Sequence, residues 1–300
     1  MQARRLRSVL SLLAALACTS DRATGPDAMR LEIVHVYGQL TGLSSQGLQD
    51  LVLMSADGST RRTLVSLPGS ESMPEWSPDG TRLLFMRFGD DRIWMVDENG
   101  RNLHAIPSTS SALWPRWSPD GQFIIYTRVP DTTPTEIVII RADGTGERVL
   151  TADAFGSPSW SRDGRIAFRR ATTGGIWTMR ADGSELTRLN TLAGDNLPTW
   201  SPDGSRLLLW NLTSAGREGF VVVNADGSNR HDVAPAEAGA EVESPSWSPD
   251  SKWILFKRHW TSTSDAPRGC ALYRVPADGG TPIVVLPEQP RTECEGASWR

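Results

Sequence analysis

No stretch of this 300-residue chain reaches the roughly 18 uninterrupted apolar residues that a membrane-spanning helix needs. Basic charge is not in excess: 31 Lys and Arg stand against 35 Asp and Glu, for a formal net charge of −4. That balance excludes a binder whose affinity rests on a basic surface, so no nucleic-acid partner is expected. Lysine occurs only at Lys252 and Lys257, a bias we read as genomic. Cysteine is scarce at three, which excludes a disulfide-dense scaffold. Enzyme signatures are missing too: there is no G-x-S-x-G elbow, phosphate-binding G-x-x-x-x-G-K-[ST] loop, H-E-x-x-H or D-x-[DN]-x-[DN]-G calcium loop. Long helices are disfavoured by 27 Gly and 20 Pro. The 39% of hydrophobic residues, 12 of all residues being Trp, still supply a substantial core and exclude disorder.

The first residues read as an address. Arg4, Arg5 and Arg7 precede the apolar run Val9–Ala17, and the pair defines a signal peptide over residues 1–17. The run closes Leu-Ala-Ala-Leu-Ala-Cys at Cys18 and resembles a bacterial lipobox, which implies lipidation of Cys18 and residues 18–30 as a lipidated tether. Simple cleavage after Ala17, giving a soluble periplasmic or secreted protein, is the alternative. Thr19 stands where resembling lipoproteins retained at the inner membrane have Asp, so an outer-membrane lipoprotein facing the periplasm is expected. Loss of the three arginines takes the net charge from −4 to −7. In an exported protein the two remaining cysteines, Cys270 and Cys294, pair most simply as a disulfide.

Self-similarity then decides the fold class. Trp-Ser-Pro-Asp-Gly begins at Trp76, Trp117 and Trp200, and recurs as Trp-Ser-Arg-Asp-Gly at Trp160 and Trp-Ser-Pro-Asp-Ser at Trp247. A truncated copy, Ala-Ser-Trp, ends at Trp299. A second marker, usually Ala-Asp-Gly, falls between successive copies, from Asp57-Gly58 to Asp278-Gly279. Apolar runs such as Leu83–Met86, Ile137–Ile140 and Leu207–Trp210 lie between the markers, giving four short strands per repeat of roughly 43 residues. That is the pattern of an all-β propeller with four-stranded antiparallel blades. Six of each marker predict a six-bladed propeller over residues 31–300. It would be closed by N- and C-terminal strands sharing the first blade, with Trp299 beside Leu31–Tyr37. The six repeat tryptophans, Trp76, Trp117, Trp160, Trp200, Trp247 and Trp299, are expected to pack as core between blades. The motif aspartates are turn-formers, since Ser-Pro-Asp-Gly suits a type I turn ending in a left-handed residue. Ser251, in place of that glycine, should cost about 1 kcal/mol.

The paired Trp-Ser-Pro-Asp-Gly and Ala-Asp-Gly motifs resemble the repeat of the TolB-type β-propeller family over residues 31–299. The chain departs from that family in lacking room for an N-terminal α/β domain. Resembling propellers accept partner peptides at the mouth of the central channel, and some hold a metal ion there; no cofactor motif of its own is present in this chain. The Trp motifs and Asp-Gly turns should share one uniform face, leaving the variable connections on the other. Leading into the innermost strands are Glu71, Glu75, Asp153, Asp195, Glu237, Glu241, Glu243, Glu288, Glu293 and Glu295, against Arg116 and Arg291. An acidic rim of this kind focuses potential on a basic or peptide partner. Partner contacts are therefore expected at Glu71, Glu75, Asp153, Asp195, Glu241, Glu243 and Glu293, with Trp114 and Trp260 as exposed aromatics. His35, His104, His231 and His259 are scattered without metal-ligand spacing. The expected function is a non-catalytic, monomeric envelope lipoprotein that binds a protein or peptide on its acidic face. A glycan-binding or glycan-cleaving propeller using channel carboxylates is the alternative.

Overall fold

Why the apolar runs are continuous rather than alternating becomes clear once the sheets are seen side by side. A computed structural model of the protein describes residues 33–39, 48–54, 61–130, 134–212, 218–235, 240–260 and 269–290. All regular structure in these residues is strand. Blade I consists of Ser70–Trp76, Arg82–Phe88, Arg92–Asp97 and His104–Ala105. Blade II is Ala112–Trp117, Phe123–Arg128, Glu136–Arg141 and Arg148–Thr151. Blade III is Phe155–Trp160, Arg165–Arg169, Ile176–Arg180 and Thr187–Arg188. Blade IV is Asn196–Trp200, Arg206–Leu212, Glu218–Asn224 and His231–Pro235, and blade V is Ala240–Trp247, Trp253–Trp260, Gly269–Pro276 and Ile283–Pro290. Within each blade the strands pair antiparallel in chain order.

The described residues therefore form five four-stranded blades, not the six expected from the marker count. Counting Asp-Gly markers does not count blades: the N-terminal marker falls in sequence between Leu48–Met54 and Arg61–Val65, which with Ile33–Gln39 form a sheet of three described strands. The segment around Trp299, expected to complete that sheet, lies outside the described residues, as do Cys18 and the whole of residues 1–30.

Successive sheets sandwich one apolar cluster at each junction. Leu83, Phe85 and Val96 of blade I meet Leu51 and Val65 of the N-terminal sheet, whereas the alternate residues Leu84, Met86 and Met95 meet Ile124, Tyr126 and Val138 of blade II. Ile125 and Ile139 of blade II face Ile166 and Phe168 of blade III, and Leu208 and Val222 of blade IV face Ile254 and Phe256 of blade V. Each middle strand is thus buried on both faces, which demands an unbroken apolar run. Full burial of one such Leu, Ile or Phe contributes about 1.5–3 kcal/mol. Trp117, Trp200 and Trp247 sit in these clusters, and Trp76 and Trp160 pack against them.

The turns follow the chemistry of their residues. In every Trp motif the serine hydroxyl donates to the aspartate two residues on (Ser77 to Asp79 and Ser201 to Asp203 at 2.6 Å). The same hydroxyl accepts the N–H that opens the second strand, Arg82 N–H at 3.0 Å and Arg206 N–H at 3.0 Å. Ser251 does adopt the left-handed conformation at φ 61°, and its hydroxyl accepts the Asp203 N–H of blade IV at 3.0 Å. A glycine could not make that cross-blade bond. At the Asp-Gly turns, glycine is needed twice over. Gly227 has φ 85°, and a Cβ there would stand 2.7 Å from the Asn190 backbone of blade III.

A recurring stack ties consecutive blades. The arginine that opens the second strand lies over the motif tryptophan of the next blade: Arg82 over Trp117 at 4.8 Å, Arg165 over Trp200 at 5.0 Å and Arg206 over Trp247 at 5.2 Å. Blade II has Phe123 at this position and blade V has Trp253.

Candidate functional site

The antiparallel registers fix which residues share the end of the blades that carries the between-blade connections. Ser70 pairs with Phe88, Ala112 with Arg128, Phe155 with Arg169, Asn196 with Trp210 and Ala240 with Trp260. The start of each first strand and the end of each second strand thus lie together, opposite the Trp turns.

Every first strand is broken by a bulge. Its register shifts between Ser72 and Glu75, Leu113 and Arg116, Phe155 and Ser159, Asn196 and Thr199, and Glu243 and Ser246. A left-handed residue sits in each: Met73, Trp114, Gly156, Leu197 and Ser244, with φ of 53°, 51°, 73°, 46° and 52°. A proline stands two residues before the motif tryptophan in all five blades, at Pro74, Pro115, Pro158, Pro198 and Pro245. Proline cannot donate to the ladder, so it belongs at a bulge. The bulge re-aims Trp114, which is half-buried. In blade III the left-handed residue is glycine because a Cβ on Gly156 would lie 2.8 Å from Leu197 Cδ2 of blade IV.

The carboxylates singled out from sequence fall into distinct environments. Glu71 is fully buried and accepts the Leu67 N–H at 3.1 Å. Glu75 reaches across to blade II, accepting Arg116 Nη1 at 3.0 Å and the Trp117 N–H at 3.1 Å. Burial raises its pKa, against the opposing pull of Arg116. Asp153 accepts Arg170 Nε at 2.8 Å together with the Thr172 N–H and hydroxyl at 2.9 and 2.6 Å. Burial pushes its carboxyl up, but these donors outweigh it and hold the group below its ordinary value. Asp195 is fully buried, bound by Arg230 Nη1 at 2.8 Å, by the Leu192 N–H at 2.7 Å and by Asn211. Glu243 pairs with Lys257 at 2.8 Å, and Glu241 is exposed. Trp260 is half-buried. Glu293 and Cys294 lie outside the described residues, and Cys270 lies in the third strand of blade V.

The structure thus brings Glu75, Asp153, Asp195 and Glu243 each onto a basic partner, rather than gathering them into one acidic ring. Arg170, Arg230 and Lys257 were missed in the sequence because they come from other strands and loops, whose register the motif spacing does not reveal. Also missed were four exposed apolar side chains. Phe88, Val129, Phe155 and Leu192, all at this end of the blades, are 43, 43, 50 and 56% exposed. Phe155 lies under the Arg169 guanidinium at 4.9 Å. Among the described residues no three His, Cys, Asp or Glu side chains gather in a way that could hold a metal ion. What this surface offers is apolar contact area set between charges that already have partners.

Residues 37–197 match the family model of the TolB beta propeller domain. The TolB homolog of Chlorobium luteolum is 35% identical over 170 residues, covering 54% of this chain and 39% of the relative, so the match spans well under half of that protein. Among solved structures, TolB from Acinetobacter baumannii superposes with a TM-score of 0.72 at 20% identity, over 92% of this chain and 67% of that one. An oligogalacturonate lyase in complex with manganese gives a TM-score of 0.57 at 15% identity, over 80% and 71%. At these identities the two structures share the fold with this chain.

Proposed function

We infer that this chain, which belongs to the TolB β-propeller domain family, binds a protein or peptide partner on the end of the blades bearing Phe88, Val129, Phe155 and Leu192, and does no chemistry there. The observation that carries the reading is the exposure of these four apolar side chains on one end of a rigid scaffold. Large exposed apolar groups rimmed by polar ones mark interaction surfaces. The ion pairs Arg170–Asp153 and Lys257–Glu243 add charged groups with partners towards the same end. Glu241, Trp114 and Trp260 stand towards the same end of the blades, whereas the buried Glu71 and Asp195 hold the connections in shape.

The reading includes export and a lipid anchor at Cys18, which the charged and apolar segments of residues 1–17 support. A Cys18→Ser chain should then move from the membrane fraction to the soluble one. The partner is tested by chemical crosslinking in intact envelopes, comparing the parent with Phe155→Asp/Leu192→Asp and with Leu186→Asp, an exposed apolar site at an Asp-Gly turn. The parent and Leu186→Asp should crosslink to the same defined protein, and the double variant should lose it. Equal crosslinking by all three would overturn the proposal. A glycan-cleaving alternative draws on the shared fold with the oligogalacturonate lyase; release of reducing ends from polygalacturonate by the purified chain would replace the binding reading with it.

A further inference from the structure

Among the described residues the outermost strand of each blade has no further strand on its outer side, and four of the five are blunted. In blades I to IV that strand is two, four, two and five residues long. Each carries a charged or titratable group: His104, Arg148, Arg188 and His231. Short, charged edges are the usual protection against pairing with another chain. Blade V departs in length, and its one charge, Glu288, lies beyond the Pro287 that ends its apolar run. Its outer strand, Ile283–Pro290, is eight residues long and opens Ile-Val-Val-Leu with no charge between Pro282 and Pro287. Ile283, Val284 and Val285 are 43, 51 and 38% exposed, three consecutive apolar residues facing solvent on an edge. The strand is fixed on its inner side by pairing of Ile283 with Arg274 and Val284 with Tyr273, and a register shift follows at Leu272.

We propose that this edge pairs with the same edge of a second copy of the chain, forming an antiparallel, two-fold dimer through Ile283–Leu286. In an antiparallel two-fold pair centred between Val284 and Val285, Val284 stands opposite Val285 and Ile283 opposite Leu286, so the seam is apolar on both copies. Among the five outer strands blade V alone has a run of four apolar residues without charge, Ile283–Leu286, ahead of Glu288. The flanking prolines confine the match, because neither Pro282 nor Pro287 has an N–H to donate. A single shared strand pair buries less than the roughly 1,200 Å² of a stable interface, which makes this a weak, concentration-dependent dimer and departs from the monomer expected from sequence. It does not depend on the partner-binding reading, since the outer edge of blade V is a separate surface.

The test is sedimentation equilibrium of the full chain over about 1 to 500 µM, a range suited to a small contact. The parent should show a monomer–dimer equilibrium. Val284→Lys places two ammonium groups at the seam and should weaken dimerisation about tenfold or more. Val149→Lys, at a 43% exposed position on the outer strand of blade II, should leave it unchanged. Unchanged melting temperatures in both variants establish that they fold, as their exposure implies. A parent that stays monomeric throughout, or a Val284→Lys chain that dimerises as the parent does, overturns the proposal. So would equal weakening by Val149→Lys, which would locate the contact elsewhere.

Discussion

Removing the Arg206 side chain tests how consecutive blades are held together. This residue joins blade IV to blade V by three contacts: its guanidinium lies 5.2 Å from the Trp247 ring centroid, Nη2 donates to the Ser251 carbonyl at 2.5 Å, and Nη1 meets Asp278 at 2.8 Å. The arginine is 18% exposed and Asp278 is 92% exposed, so the ion pair is screened and contributes close to nothing. A partly desolvated cation–π contact is worth about 1–2 kcal/mol. A charged donor on a carbonyl is worth about 1.5–3 kcal/mol. Arg206→Ala should therefore cost about 2–4 kcal/mol, allowing for incomplete additivity between contacts that share one group. Arg206→Lys keeps the charge over the ring but loses the planar fork, and should recover about half of that loss. Asp278→Asn should change stability by less than about 0.5 kcal/mol. The assay is urea unfolding followed by tryptophan fluorescence, with the midpoint shift converted through the slope. An Arg206→Ala loss below about 0.5 kcal/mol, or an Asp278→Asn loss exceeding it, would refute the claim that the stack and the carbonyl bond, rather than the ion pair, tie the blades.

Further outcomes follow from the turns. Ser251→Gly relieves the left-handed strain but loses the bond from the Asp203 N–H, so its melting temperature should match the parent; Ser251→Ala keeps the strain, loses the bond and should be about 1 kcal/mol less stable. Gly227→Ala drives a methyl group against the Asn190 backbone at a φ of 85° and should cost about 1–3 kcal/mol, read from the same urea curves. The Ser77 hydroxyl and Thr81 donors lower the Asp79 pKa to about 2. Its contribution to stability is thus complete above the unfolded carboxyl pKa of about 3.9 and is lost as pH falls through the folded value. Asp79→Asn should flatten the dependence of melting temperature on pH across that window and leave the neutral-pH side flat.

The repeat was legible because its signals are local. Trp-Ser-Pro-Asp-Gly specifies a turn through the backbone preferences of Pro78 and Gly80 and through the Ser77–Asp79 hydrogen bond, all within five residues. The unbroken runs Leu83–Met86 and Leu207–Trp210 likewise announce strands covered on both faces. The blade number was not legible in the same way. A turn marker records that two strands meet and says nothing about whether a third and fourth join them, and the strands on either side of the N-terminal marker lie in a sheet of three described strands. The bulges had a signal that went unread: a proline two residues before each motif tryptophan, which a regular strand interior could not satisfy five times over.

The acidic rim shows why charge read along a loop misleads. Asp153 and Asp195 precede their first strands, but Arg170 lies beyond the end of a second strand and Arg230 before a fourth, 17 and 35 residues away. Pairing across those distances depends on the register of the whole blade, so a count restricted to one set of connections records the acids and omits their partners. Once paired, the carboxylates contribute rigidity more than field: Asp153 fastens the Thr172 loop, and Asp195 fastens Leu192. This fastening also explains the exposed apolar residues. Leu192 stays 56% exposed because its N–H is held by a fully buried carboxylate, which prevents the loop from collapsing to cover the side chain. Asp195→Ala should therefore release Leu192 and blunt the proposed contact surface even though Asp195 itself touches no partner. In the crosslinking comparison it should weaken capture while Asp153→Asn, which keeps a similar shape at its own loop, weakens it less; the reverse order would mean that charge, not loop geometry, governs binding.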